Sequence, residues 1–128
     1  KNLMHQIEQF INDYDKPLIS ELVVGNELIA GQIDYLQKDK IIDFKCDREI
    51  KFSNKYQKMK YPLNYLDDCN WNKYCIQVSM YRYLLEERGF KLPEQDLIIK
   101  FDRYAKEYKK YFIPYLKKEC ELILNNVT

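Results

Sequence analysis

Residues 27–46, ELIAGQIDYLQKDKIIDFKC, decide how this chain folds. Two runs of β-branched and aliphatic residues flank a polar turn at residues 38–40, a pattern that predicts two consecutive strands. Side chains of a strand alternate between its faces, so Asp43 and Lys45 share one face of the second run while the alternating apolar residues point into the core. We therefore expect a strand that carries an acid and a base on its polar side.

The rest of the chain supplies further elements around this pair of strands. They are, in order, a helix (residues 2–14), a strand (19–24), a long helix (71 or 72 to 87), a strand (96–101), an edge strand (107–113) and a last helix (114–124). Gly25-Asn26 predicts a hairpin turn, and Pro114 opens the last helix. The long helix ends at Gly89 and has an apolar packing stripe, on which Gln77 would be a buried polar residue; the stripe consists of Tyr74, Val78, Tyr81 and Leu85. Residues 47–72 have no period and predict a long functional loop.

This order of elements predicts one α/β (α+β) domain over residues 1–128, with a central mixed sheet flanked by helices. A hydrophobic fraction of 46% with 32% charged residues is typical of an ordinary globular protein. No apolar run approaches the roughly 18 residues of a membrane span and no signal segment opens the chain, so we expect a cytoplasmic protein with reduced cysteines. Because Lys1 replaces an initiator methionine, we expect a fragment or a processed product.

The positive charge of the chain is unevenly distributed. The net charge is only +1, yet residues 48–60 and residues 100–118 are both rich in lysine and arginine. Either segment could follow a phosphate backbone, and either could equally be the solvated face of a lysine-rich protein.

A group of charged residues is predicted where the first two strands of the quoted stretch meet. Strict alternation puts Asp34 on the face opposite Ile33 and Tyr35, from which it can meet Asp43 across the hairpin. Two carboxylates with an amine beside them form a site for a hard divalent cation such as Mg²⁺ or Mn²⁺, and such a site suits phosphodiester hydrolysis. One alternative stays open, in which the acids face solvent and Lys45 is their ion-pair partner.

Three motifs in this order resemble the RecB-like branch of the PD-(D/E)XK nuclease superfamily. They are GQID (residues 31–34), IIDFK (residues 41–45) and Gln77-Val78-Ser79-Met80-Tyr81, and the resemblance spans residues 21–89. It implies a restriction-endonuclease-like core in which Asp34 and Asp43 hold metal, two ions being expected, and Lys45 acts in catalysis. It further implies that Gln77 contacts nucleic acid or a site water. Tyr81 would hydrogen-bond near the scissile phosphate or pack against the catalytic strand.

The same resemblance suggests additional ligands and excludes one cofactor. Glu21 stands where family members carry a glutamate near the metals, and His5 stands on the helix where RecB-like nucleases place a histidine that binds Mn²⁺. The family's iron–sulfur form needs three cysteines beyond the helix of Gln77, and only Cys120 lies there. We therefore expect no iron–sulfur cluster.

The expected function is a metal-dependent DNA nuclease, specifically an exonuclease of bacteriophage or large-virus type that acts on single strands or DNA ends during recombination or repair. The cell compartment would then be the cytoplasm or another intracellular site of viral or phage replication. Two alternatives stay open, namely an RNA endonuclease of the cap-snatching type and a catalytically silent nucleic-acid-binding module. Digestion polarity and oligomeric state do not follow from the sequence.

Overall fold

A computed structural model describes residues 2–46 and 49–127 of the protein. Its elements are α1 (Asn2–Asp13), β1 (Ile19–Gly25), β2 (Ala30–Leu36), β3 (Ile41–Cys46), α2 (Asn70–Glu87), β4 (Leu97–Phe101), β5 (Lys109–Phe112) and α3 (Lys117–Asn126). The strands form one sheet in the order β1-β2-β3-β4-β5, in which β3 and β4 are parallel and the other neighbours antiparallel. The predicted mixed sheet flanked by helices is confirmed.

Each face of the sheet has its own apolar core. On one face, Val78 of α2 packs with Ile41 and Ile98, all three of which are fully buried. On the other face, Phe10 of α1 packs with Ile42 and with Ile99. Burying each such side chain stabilises the fold by roughly 1.5–3 kcal/mol, so both helices are held on the sheet by apolar contact.

Two elements begin three residues later than the sequence predicts, the largest differences at any element boundary. The β1–β2 turn is longer than Gly25-Asn26, because Asn26 Oδ1 accepts the backbone N–H groups of Leu28 (2.9 Å) and Ile29 (3.1 Å) and delays the start of β2. The last helix begins at Lys117, so the prediction that Pro114 opens it was wrong.

The late start of α3 has a tertiary cause. Ser79 of α2 donates its hydroxyl to Pro114 O (3.3 Å) and accepts the N–H of Leu116 (3.0 Å). These bonds satisfy backbone groups outside a helix, so a contact distant in sequence overrides the helix-opening preference of proline.

A buried ion pair fixes α2 against the start of β3 and β4. Arg82 Nε lies 2.8 Å from Asp96 Oδ2, and Asp96 Oδ1 accepts the backbone N–H of Ile41 at 2.9 Å. Both charged side chains are less than a tenth exposed. Since a buried ion pair requires good geometry and full hydrogen bonding, this contact sets the position of α2 over β3.

A helix that crosses a membrane must be both long and apolar. Within residues 2–46 and 49–127, none is both long enough and apolar enough to cross a membrane.

Candidate active site

The site forms where β2 and β3 separate. Their backbones pair only at Tyr35–Ile42 and Leu36–Ile41. One residue further on, Asp34 Oδ2 accepts the backbone N–H of Phe44 at 3.0 Å. A carboxylate thus satisfies a strand N–H group at the point where the two strands diverge, and this bond holds Asp34 beside Asp43.

Strand β1 is distorted opposite the same point. Glu21 has a backbone φ of 53°, the left-handed region that non-glycine residues rarely adopt. It faces Asp34 in the β1–β2 register, between the pairs Ser20–Tyr35 and Leu22–Ile33, but Glu21 and Asp34 are themselves not paired. The two strands therefore leave regular β geometry together.

The distortion shifts the alternation of side chains along β2. Ile33 and Leu36 both pack on the α2 side of the sheet, whereas Tyr35 packs on the α1 side with its ring 5.4 Å from that of Phe10. Strict alternation placed Ile33 and Tyr35 on one face, so that part of the prediction was wrong. The expected meeting of Asp34 with Asp43 occurs at the irregular position itself.

Asp43 is a buried carboxylate with an unusual environment. It is 4% exposed and lies on the α2 side of the sheet, opposite Ile98 of β4. Burial raises the pKa of Asp43 to about 6; the ammonium of Lys45 opposes this rise, and the neighbouring carboxyl of Asp34 adds to it. Lys45 Nζ is 2.9 Å from Asp43 Oδ2.

The carboxylate oxygens of Asp43 and Asp34 bear on metal binding. Asp43 Oδ2 is buried and forms an ion pair with Lys45 Nζ, but no donor among the described residues has hydrogen-bond geometry towards it. Carboxylate oxygens are the ligands that a hard cation prefers. Asp43 and Asp34 therefore fit one Mg²⁺ or Mn²⁺ ion. No group of three or more His, Cys, Asp or Glu side chains suited to a metal occurs in residues 2–46 and 49–127.

Lys45 is held by an aromatic ring that the sequence did not assign to the site. Its Nζ lies 4.4 Å from the ring centroid of Tyr74 on α2. Such a cation–π contact orients the ammonium beside the two carboxylates. The pattern placed Tyr74 only in the packing stripe of α2, yet its position three residues before Gln77 gave a signal, because residues three apart share a helix face.

Tyr81 and Gln77 lie together on α2 beside the carboxylates. Tyr81 is 9% exposed, and burial raises the pKa of its phenol, opposed by a hydrogen bond with Gln77 and reinforced by the charge of Asp43. Gln77 is exposed, which corrects the expectation that it is a buried polar residue of the stripe.

Gly31 makes the approach of Tyr81 possible. A Cβ atom at position 31 would lie 2.5 Å from Tyr81 Cε1, closer than side chains tolerate. Gly31 and Tyr81 therefore form one contact between β2 and α2. The two residues stand three positions before Asp34 and four positions after Gln77.

His5 and Glu21 do not join the two aspartates in a three-ligand group. His5 is exposed on α1, which packs on the sheet face opposite α2 and Asp43. Glu21 is exposed on β1, opposite Asp34 in register. Their roles as metal ligands stay predictions.

Comparison with known proteins gives a relative in fold but none in sequence. No protein-family model and no curated protein matches the chain. One solved structure that resembles it is an inferred exonuclease from Eubacterium rectale, with a TM-score of 0.64 and 13% identity over 98% of this chain and 50% of that protein. The chain thus spans about half the length of that protein. At this identity the likeness establishes a shared fold.

Proposed function

We propose that this chain is a metal-dependent deoxyribonuclease that hydrolyses phosphodiester bonds at Asp34, Asp43 and Lys45. The observation that carries the proposal is a pair of neighbouring carboxylates with a lysine: Asp43 is 4% exposed, Lys45 Nζ lies 2.9 Å from its Oδ2, and the carboxyl of Asp34 further raises the pKa of Asp43. A second acid beside a buried carboxylate is unfavourable for stability and is typical of a functional site. The fold shared with an inferred exonuclease supports the same reading.

The acids and the lysine have separate roles. Asp34 and Asp43 would hold Mg²⁺ or Mn²⁺, which when bound lowers the pKa of a coordinated water and neutralises phosphate charge. Lys45, steadied on the ring of Tyr74, donates hydrogen bonds to a phosphate oxygen as charge develops there. The two carboxylates suffice for one ion, so the second ion expected from the family resemblance would need oxygen ligands from the nucleic acid.

Gln77 and Tyr81 complete the site from α2. Gln77 is exposed and hydrogen-bonds the phenol of Tyr81, so its remaining N–H and its carbonyl oxygen can contact a bound strand or a water. Because burial raises the pKa of Tyr81 above its ordinary value of 10, the phenol keeps its proton at neutral pH. Tyr81 can then donate a hydrogen bond near the scissile phosphate.

The substrate of the proposed enzyme is single-stranded DNA or DNA ends, cut as an exonuclease. The test is digestion of 5′-labelled and 3′-labelled linear DNA, circular single-stranded DNA and RNA of equal sequence, each with Mg²⁺, Mn²⁺ or EDTA. We expect linear DNA to be shortened only with metal while the circle survives. Cleavage of RNA alone would favour the cap-snatching alternative, and no cleavage with either metal would overturn the enzyme and favour a silent binding module.

A further inference from the structure

A cleft of about 750 Å³ opens between residues 49–56 and the first turns of α2. Its wall is fixed by hydrogen bonds: Asn70 Oδ1 accepts the N–H of Lys51 at 2.7 Å, and Asn70 Nδ2 donates to Glu49 O at 2.7 Å. Trp71 N donates to Lys51 O at 3.2 Å. The cleft is therefore built by specific contacts to α2 rather than left by a loose loop.

The cleft is lined by three lysines and two acids, and two of the lysines form no ion pair among the described residues. Of its lining residues, Lys73 is paired with Asp68 at 3.0 Å. Lys51 and Lys55 also line it, and neither forms an ion pair within the described part of the chain, although Glu49 stands nearby. Arg48, which the sequence groups with this basic segment, lies outside the described residues. Two unpaired lysines in a cleft favour an anionic occupant.

Exposed aromatic rings stand beside these lysines. Tyr56 lines the cleft and is 85% exposed, with Lys55 Nζ 5.1 Å from its ring centroid. Phe52 follows Lys51 in the chain, just outside the cleft lining; it is 54% exposed and makes tilted contacts with the rings of Trp71 (centroids 5.0 Å apart) and Tyr111 (6.0 Å). Because two other rings support Phe52, its free face is held in a fixed orientation.

A row of lysines extends the positive charge across the sheet. Lys45, Lys100 and Lys109 are direct neighbours in the register of β3, β4 and β5, so all three lie on the α2 side. Like charges in directly opposite positions are destabilising. Lys100 is paired with Asp102 at 3.5 Å, and Lys109 forms no ion pair within residues 2–46 and 49–127. Lys45 is paired with Asp43 and Lys100 is 8% exposed, so Lys109 is the member of this row that is available to a phosphate.

One face of α2 connects the cleft to the candidate active site. Asn70, Tyr74, Gln77 and Tyr81 follow one another at helical spacing, from the cleft through the ring beneath Lys45 to the neighbourhood of Asp43. Eleven residues of helix separate the two ends, a path of roughly 16 Å.

We propose that this cleft binds single-stranded nucleic acid, with phosphates on Lys51 and Lys55 and bases stacked on Tyr56 and Phe52, and delivers the strand along α2 to Asp43. Unpaired bases have free faces that aromatic side chains can cover, whereas the bases of a duplex are already stacked on one another. The delivery step rests on the proposed nuclease function. The binding step does not, so the two can fail separately.

The test is the affinity of the whole chain for fluorescently labelled dT15, measured by anisotropy in EDTA so that no cleavage occurs. We expect Tyr56→Ala and Phe52→Ala each to weaken binding about tenfold, the usual effect of losing one stacked base. The matched controls are Tyr104→Ala and Phe90→Ala, whose rings are 87% and 48% exposed outside the cleft, and both should bind within about twofold of wild type.

The contribution of Lys51 and Lys55 is measured separately, from the salt dependence of binding. Replacing both Lys51 and Lys55 by alanine should reduce the slope of log K against log salt by about 1.4, since each phosphate contact of a single strand contributes about 0.7. The control is the double variant Lys38→Ala/Lys91→Ala, because both lysines are exposed and lie outside the cleft. That control pair should leave the slope unchanged.

Two results would contradict the proposal that the cleft binds single-stranded nucleic acid. One is wild-type affinity in both Tyr56→Ala and Lys51→Ala/Lys55→Ala, and the other is equally tight binding of a blunt duplex of the same length. Should Phe52→Ala fail to fold, Tyr56→Ala still decides, because that ring is almost entirely exposed. If dT15 binds through these residues but is not cleaved when metal is added, the proposed binding in the cleft is supported and only the proposed nuclease activity is contradicted.

Discussion

The carboxyl group of Asp43 combines deep burial with a charge that the fold does not fully stabilise. Lys45 Nζ lies 2.9 Å from one of its oxygens, and Asp34 adds a second acid beside it. Sequence alternation correctly puts the acid and the lysine on one face of β3. It could not indicate that the acid is 4% exposed, because burial depends on α2, which lies far along the chain.

Burial of Asp43 predicts a pH-dependent penalty in the metal-free protein. Below pH 3.8 the folded and unfolded chains both hold the proton, and between 3.8 and about 6 only the folded chain does, so stability falls as the pH rises through this window. Asp43→Asn should therefore unfold at a higher temperature than wild type at pH 7 in EDTA. The difference should shrink towards pH 4, with an upper bound of about 3 kcal/mol.

Scanning calorimetry of both proteins from pH 4 to pH 8 measures this difference. A pH-independent difference would contradict the burial argument. As a control, Mn²⁺ should raise the melting temperature of wild type and leave that of Asp43→Asn unchanged, because a ligand stabilises only the protein that binds it.

Strand β2 and helix α2 meet at a contact that requires glycine. A methyl group at position 31 would collide with the ring of Tyr81, and that ring is too buried to move freely. Gly31→Ala should cost about 1–3 kcal/mol of stability in wild type and much less when Tyr81 is alanine. Urea unfolding of the two single variants and the double variant tests this coupling, and strictly additive costs would contradict it.

The distortion of β1 makes a second prediction about an element. Valine normally suits an exposed strand, but a β-branched side chain is poorly tolerated at a φ of 53°. Glu21→Val should therefore destabilise the chain by about 1–2 kcal/mol. Ser20→Val, one residue earlier on the same exposed strand, should change stability by less than about 0.5 kcal/mol. Equal effects of the two substitutions would show that Glu21 has ordinary strand geometry.

At the scale of the whole molecule, the sequence predicted the elements that local patterns define. The two-residue period of residues 41–46 predicted β3, and the helical stripe before Gly89 predicted α2. Both predictions agree with the structure to within two residues at each end. Features that depend on distant contacts were missed: the face of Tyr35, the exposure of Gln77, the role of Tyr74 and the start of α3. No period marks residues 49–56, and their shape depends on hydrogen bonds to Asn70.

The overall arrangement places the cleft, the helix positions from Asn70 to Tyr81 and the two carboxylates in succession on the α2 side of the sheet. The opposite side holds α1 and the aromatic core around Phe10. A strand of nucleic acid could therefore contact the cleft and Asp43 at the same time without crossing the core.

The most direct measurement is the single-turnover rate of cleavage of end-labelled single-stranded DNA in Mn²⁺ by wild type, Asp43→Asn and Lys45→Ala, with Lys38→Ala as control. All four proteins are first checked for folding by circular dichroism. We predict that Asp43→Asn and Lys45→Ala each lose at least about 100-fold in rate, the usual effect of removing one group that stabilises the transition state, while Lys38→Ala cleaves like wild type. A folded Asp43→Asn variant that cleaves at the wild-type rate would contradict the assignment of this site.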